Sequence, residues 1–393
     1  MSMSMSMSMS APVHVAVACG GTGGHLFPGL AIGRELRALG ARVTLLVSEK
    51  EVDREAVAGV ADLAVRVLPG VGLQGGNHAG FAIAGARALL AARRVFRGDR
   101  PDVVLGMGGF TSAAPVIVGR WMGAATAVHE ANTVPGRANR WLSRWVDLAM
   151  VGFEEAAGRW SSGRAEVTGT PVREVFRALD AGRCREELGL EPGRPVLAVM
   201  GGSQGASGLN RAIAAALPAL LARWPRLQFV HLCGHRDVGE MQAAHEAAGA
   251  RSVVEAFSAR VEVILGAATL AVARSGASTL AELAAMGVAS VLVPFPAAVD
   301  DHQRVNAEVF GRAGASRVMA QADATPGRLL EVLGGMLDDE AVRRAHGEAA
   351  RALHRPGAAR RIAERLQGLA GVRGGACRRV DVPGVAGAAG GIP

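Results

Sequence analysis

The stretch VHVAVACGGTGGH, residues 13–25, decides how the rest of the chain is read. The run Val13–Ala18 is strand-forming and almost wholly apolar. Four glycines in five positions follow (Gly20, Gly21, Gly23, Gly24), and helical periodicity then runs through Leu30–Leu39. A continuous apolar strand belongs to a parallel sheet covered on both faces. A glycine loop between such a strand and a helix brings backbone N–H groups and the positive end of the helix close to an anionic ligand. The loop is not a dinucleotide fingerprint, because G-x-G-x-x-G fails in every register. It is not a Walker P-loop either, since the only lysine, Lys50, is followed by Glu51.

The same strand–loop–helix rhythm repeats along the chain. Strand-like runs occur at Val43–Val47, Val103–Met107, Thr126–His129 and Leu148–Val151, and resume at Pro195–Met200, Gln228–Leu232, Leu270–Ala273 and Ser290–Val293. Alternation of this kind predicts parallel α/β layers. A break around Thr168–Arg183 divides the series into two similar halves. The expected organisation is a disordered leader at 1–12, a first domain at 13–172 and a second at 173–355. A C-terminal helix at 356–370 is expected to pack back on the first domain, ahead of a disordered tail at 371–393.

A chain of 393 residues that is 50% apolar can fill two cores. The Met-Ser leader lacks the basic and apolar regions of a signal peptide, and no apolar run is long enough to span a bilayer. Cys19, Cys184, Cys233 and Cys377 form no C-x-x-C pair, which fits a reducing compartment and argues against a zinc site. The net charge is +8, carried by arginine. Between Leu63 and Val146 ten arginines face three carboxylates, a local excess of +7, beside Trp121, Trp141 and Trp145. Such a surface suits an anionic membrane. No basic-aromatic RNA motif occurs, and nucleic acid is not expected as a partner.

Three more loops sit at strand ends: Gly106–Ser112, Gly201–Ala206, and the turn Arg274-Ser275-Gly276 that opens a helix at Ala277. Ligands of open parallel sheets bind beyond the carboxyl ends of the strands. Together these loops predict binding of a diphosphate without a metal. Glu282, about two turns into its helix, is placed to accept hydrogen bonds from both ribose hydroxyls. No D-x-D occurs, and Asp300-Asp301-His302 does not have a usual metal-ligand spacing. Neither a metal nor a cofactor is expected.

Seven segments, in order, resemble the peptidoglycan N-acetylglucosaminyltransferases of glycosyltransferase family 28, which have the two-Rossmann GT-B fold. They are GGTGGH (20–25), GMGGF (106–110), HEANTVPGRANRWL (129–142), GTPVR (169–173), GGSQGA (201–206), ARSGASTLAE (273–282) and VPFPAAVDDHQRVNA (293–307). The resemblance covers residues 13–370. It implies two doubly wound parallel-sheet domains facing across a cleft, with UDP-N-acetylglucosamine mainly on the second. Ser258 would meet the uracil through its backbone. Ala277, Ser278, Thr279, Leu280, Ala281 and Glu282 would hold the nucleotide, and Ser203 and Arg173 would lie near the diphosphate. Gln303 would read the sugar hydroxyls, and Thr22, Gly23, Gly24 and Asn132 would close over the donor from the first domain. The acceptor, a MurNAc-pentapeptide on a polyprenyl diphosphate, would lie against Gly108, Gly109, Phe110 and Ser112. Two departures, Phe110–Pro115 and Ala131, both fall on the acceptor side.

The implied reaction is an inverting transfer of N-acetylglucosamine to the C4 hydroxyl of lipid I, giving lipid II. The alternative is another GT-B UDP-sugar transferase acting on a lipid or natural product. A general base is needed, and histidine titrates in the right range. His25 is the first choice, with His129 and Glu130 behind it. The expected location is peripheral, on the cytoplasmic face of the cell membrane, with other cell-wall synthesis or division proteins as further partners.

Overall fold

A computed structural model describes residues 11–21, 23–50, 53–54, 57–69, 78–160, 165–202 and 205–377. Two sheets organise them, and every strand pairing is parallel. The first runs β1 (His14–Ala18), β2 (Arg42–Ser48), β3 (Ala64–Leu68), β4 (Val103–Gly106), β5 (Ala125–Glu130), β6 (Leu148–Val151) and β7 (Ala165–Val167), in spatial order 3-2-1-4-5-6-7. The second holds β8 (Val196–Met200), β9 (Gln228–Leu232), β10 (Ser252–Glu255), β11 (Leu270–Ala273), β12 (Ser290–Leu292) and β13 (Ser316–Val318), in order 10-9-8-11-12-13.

In each sheet the strand order reverses once, between β1 and β4 and between β8 and β11. The chain leaves those strands in opposite directions and opens a crevice at their carboxyl ends. The described residues of all four loops emerge there: Cys19–Gly21 after β1, Met107–Gly109 after β4, Gly201 and Gly202 after β8 and Arg274–Gly276 after β11.

Four strands fall outside the apolar runs named above: β3, β7, β10 and β13. They are the four sheet edges. Their residues are half-buried or exposed at most positions, whereas β1, β4, β5, β8 and β11 are buried throughout. An edge strand is covered on fewer sides, so it needs no continuous apolar run.

The chain crosses between domains twice. After β7 it passes through Gly169 into the second domain, and after a helix ending at Leu353 it returns. The crossings touch: Gly169 has φ +87°, and a Cβ there would lie 2.7 Å from the Cβ of Arg355. The returning helix, Ala358–Cys377, inserts Ile362, Ala363 and Leu366 into the first domain's core beside Leu26, Ile32 and Leu36. Burying each of the two larger side chains contributes about 2 kcal/mol. Gln367 Nε2 donates to the Leu39 carbonyl at 3.1 Å, and Arg361 Nη2 to the Thr168 carbonyl at 2.9 Å. This helix continues past residue 370, into the stretch read from sequence as tail. Among the described residues, no helix is long and apolar enough to cross a membrane.

Candidate functional site

The first two loops are tied into one unit. Buried Asp53 accepts hydrogen bonds at Oδ2 from Gly21 N (2.7 Å), Ser48 N (2.9 Å) and Ser48 Oγ (2.5 Å). Gly20 is forced to be glycine, because a Cβ would sit 2.3 Å from Ser48 N. Thr111 Oγ1 then donates to the Gly20 carbonyl at 2.6 Å, joining the loop after β4 to the loop after β1. His25 stands where they meet: a Cβ on Gly108 would lie 2.9 Å from its Nε2. Burial lowers the His25 pKa from 6.5, against the opposing pull of Glu130 and Asp53. The ring is therefore neutral near pH 7, the state a general base requires.

The other two base candidates are engaged elsewhere. His129 is fully buried on β5, and its Nε2 donates to the Gly169 carbonyl at 3.0 Å. Burial lowers its pKa as well. Glu130 accepts four hydrogen bonds: from Asn132 N (2.9 Å) and Asn132 Nδ2 (3.0 Å) at Oε1, and from Gly136 N (2.9 Å) and Asn139 Nδ2 (3.0 Å) at Oε2. A carboxylate so occupied shapes its loop and has no lone pair left for a substrate proton. His129 and Glu130 are thus corrected from catalytic candidates to supports of the HEANT loop.

On the second domain, the helix Ala277–Met286 begins behind Gly276 without a side-chain cap, so its first N–H groups remain available. Glu282 is half-buried, and no described residue donates a hydrogen bond to its carboxylate. Burial pushes its pKa up to about 7, with Arg173 lowering it and Glu262 raising it. Arg173 binds Glu262 Oε2 at 2.8 Å and the Ala259 carbonyl at 3.2 Å, and lies over Phe176 of its own domain and Phe27 of the other. Ser258 Oγ accepts from Arg260 N at 3.3 Å, beyond the end of β10. Gln303 Oε1 accepts from Phe295 N at 3.0 Å, and its Nε2 bonds to no described residue.

The cleft brings the two sets together. Ser278 Oγ donates to the Gly24 carbonyl at 3.2 Å, and Asn132 Oδ1 accepts from Asn306 Nδ2 at 3.0 Å. Gly24 therefore meets Ser278, and Asn132 meets Asn306, across it. Two predicted residues cannot serve as supposed. Leu280 is fully buried in the second core and its N–H bonds the Gly276 carbonyl, so neither its side chain nor its N–H is offered to the cleft. Ser112 is fully buried, with Oγ on the Gly109 carbonyl at 2.9 Å, which removes it from the acceptor surface. Ala277 is buried and Ala281 half-buried on the same helix, Gly109 is exposed, and Phe110 opens the helix Phe110–Trp121. Thr22 and Ser203 lie outside the described residues.

Residues 15–151 match the glycosyltransferase family 28 N-terminal domain, and residues 196–362 match its C-terminal domain. The chain belongs to glycosyltransferase family 28. It is 42% identical over 356 residues to the UDP-N-acetylglucosamine–N-acetylmuramyl-(pentapeptide) pyrophosphoryl-undecaprenol N-acetylglucosamine transferase of Xanthomonas campestris pv. campestris strain 8004, covering 89% of this chain and 80% of that protein. The protein of the same description from Halorhodospira halophila is 39% identical over 366 residues, covering 89% of this chain and 96% of its own length. Among solved structures, Acinetobacter baumannii MurG superposes with a TM-score of 0.70 at 27% identity, over 91% of this chain and all of that one. The two crevices are thus those of a family 28, GT-B enzyme.

Sequence reading of this family 28 chain missed Asp53, Arg274 and Asn306. Arg274 is buried without a carboxylate. It donates to the Val293 and Pro294 carbonyls (2.9 and 3.0 Å) and to Gln321 Oε1 (2.5 Å) behind the Ser275-Gly276 turn. Burial lowers its pKa to about 10. A buried polar residue next to a glycine loop was the available signal, but position alone does not say which loop atoms it binds.

Proposed function

We propose that this enzyme transfers N-acetylglucosamine from UDP-N-acetylglucosamine to the C4 hydroxyl of undecaprenyl-diphospho-MurNAc-pentapeptide, converting lipid I to lipid II with inversion. The observation that carries the reading is the cleft itself. The uncapped helix at Ala277, with a Glu282 carboxylate that receives no hydrogen bond from the described residues, lies on one side, and His25 against Gly108 on the other. The reading is supported by relatives at 42% and 39% identity whose descriptions are of transferases of this donor and acceptor.

Glu282 accepts the ribose hydroxyls, Ser258 offers its backbone to the uracil, and Gln303 Nε2 takes a sugar hydroxyl. His25 accepts the proton of the C4 hydroxyl as its oxygen attacks the anomeric carbon from the face opposite UDP. The C1–O bond to the diphosphate breaks, and its electron pair leaves with UDP. The growing negative charge falls on the free N–H groups of Ala277–Thr279, a preorganised electrostatic contribution. An oxocarbenium-like transition state follows by analogy with glycoside chemistry.

The acceptor is a membrane lipid, and the first domain supplies a surface for one. Ile83 and Leu90 on the helix His78–Gly98 are exposed, with Arg87, Arg93, Arg94 and Arg97 on the same helix, and Trp121, Trp141 and Trp145 are exposed nearby in sequence. We infer peripheral attachment to the anionic cytoplasmic leaflet through this domain, with the loops after β1 and β4 at the depth of a lipid diphosphate headgroup. Incubation of purified protein with radiolabelled UDP-N-acetylglucosamine and a lipid I analogue tests the reaction: label should move to the lipid, and failure to do so in the presence of anionic vesicles overturns it.

A further inference from the structure

The turn and helix that carry Gln303 are fastened to the opposite domain at two points. Asn306 is fully buried and uses its whole side chain. Its Oδ1 accepts from Thr133 N (3.0 Å) and Thr133 Oγ1 (2.7 Å) of the first domain. Its Nδ2 donates to Asn132 Oδ1 (3.0 Å) across the cleft and to the Ser275 carbonyl (3.1 Å) at the head of the nucleotide helix. On the other side of Gln303, Asp300 pairs with two arginines of the first domain, Arg140 Nη2 at 2.6 Å and Arg137 Nη2 at 3.5 Å. Asp300 and Asp301 both hold left-handed backbone, with φ of 51° and 54°, the only such non-glycine residues among those described. Two successive residues keep that conformation only where their surroundings over-determine it.

We propose that Asn306 and Asp300, with Thr133, Arg137 and Arg140 as their partners, are positioning residues: they lock the cleft closed, so that the acceptor domain sets the geometry in which Gln303 reads the donor sugar. This rests on the reading of Gln303 as the sugar-recognising residue. Glu282 and Ser258, which serve the nucleoside, lie outside the latch. Its loss separates recognition of the sugar from recognition of UDP. It also removes Arg137 and Arg140 from the basic surface available to a membrane, because they face Asp300.

The test places substitutions in one domain and reads recognition in the other. Arg140→Gln and Thr133→Val, both in the first domain, should raise KM for UDP-N-acetylglucosamine about fivefold or more, the usual lower range of coupling between sites. The Kd for UDP by calorimetry should stay within about twofold of the unmodified protein, because these substitutions leave Glu282, Ser258 and the Asn306–Ser275 bond in place. Arg140→Lys, which keeps the charge, should restore most of the KM. Adding Asp300→Asn to Arg140→Gln should cost little more than either alone, the signature of residues acting as one unit. Small-angle scattering supplies a readout independent of turnover: Arg140→Gln and Asn306→Ala should enlarge the ligand-free particle. An unchanged KM and an unchanged scattering curve in these variants overturn the proposal, as does a loss of UDP affinity that parallels the loss for the sugar nucleotide. An unmodified chain that turns over no UDP-N-acetylglucosamine fails the functional reading instead, and the scattering still decides the latch.

Discussion

Glu130 and Glu282 sit on opposite sides of one cleft, each at the edge of a Rossmann-like crevice, the first buried and the second half-buried. Glu130 receives four hydrogen bonds from its own loop. Glu282 receives none from the described residues, and burial pushes its pKa up to about 7. The same side chain is a fixed post in one place and an unfilled acceptor in the other. Supply of hydrogen-bond donors makes the difference. A polar group whose partners are provided by the fold belongs to the fold, and one left short of partners waits for a ligand.

The comparison can be broken at four points, in descending order of expected effect. His25 is the one residue in the cleft assigned a proton. His25→Gln should lower kcat by about 10² or more while moving KM little. Because burial holds its pKa below 6.5, the acid limb of the kcat–pH profile should lie under that value. A kcat within a few-fold of the parent would return the search for the base to other groups.

Glu130→Ala strands four donors and should cost about 3 kcal/mol of stability in urea unfolding. If the variant unfolds like the parent yet fails in turnover, Glu130 acts on substrate and the contrast with Glu282 collapses.

For Glu282 the sign runs the other way. Its folded pKa, about 7, lies above the ordinary 4.5, so the folded protein holds this proton more tightly than the unfolded chain. This contribution to stability is present below pH 4.5 and is lost as pH rises through 7. The ionised form is the one that accepts two ribose hydroxyls. Affinity for UDP-N-acetylglucosamine should therefore rise about tenfold between pH 6 and pH 8. Glu282→Gln should flatten that dependence and leave the protein at least as stable as the parent at pH 8. A pH slope that survives the substitution assigns it elsewhere.

The smallest effect separates nucleoside from sugar. Gln303→Ala should weaken the sugar nucleotide by about 1 kcal/mol with UDP unaffected, whereas Glu282→Ala should weaken both. Equal losses for both ligands in the Gln303 variant would overturn its assignment.

What could be read from the sequence follows the same division. The central strands and the four switch-point loops were legible, because double-sided burial and close backbone approach leave apolar runs and glycines that no other arrangement needs. The four edge strands were not, since half-exposed strands lack that pattern. Glu130 and Ser112 occur in ligand-like motifs, and only the turn geometry shows that their partners are internal. Arg137 and Arg140 read as part of a uniform basic stretch, and their pairing with Asp300, far along the chain, had no local signal. The family resemblance named the ligand, but the side chains that brace the loops around it became visible only in the packed molecule.

The helix Ala358–Cys377 fixes an order of assembly. Ile362, Ala363 and Leu366 finish a core otherwise built from residues 13–150. A ribosome releases the second domain's strands, β8 to β13, before it makes that helix, so the second domain can close on its own while the first is still missing a wall. Domains usually mature in the order of synthesis. Here the domain made first must wait for the end of the chain, with its apolar surface near Leu26 and Leu36 exposed to chaperones in the interval. A chain truncated before residue 358 should retain a folded donor half attached to an aggregation-prone acceptor half.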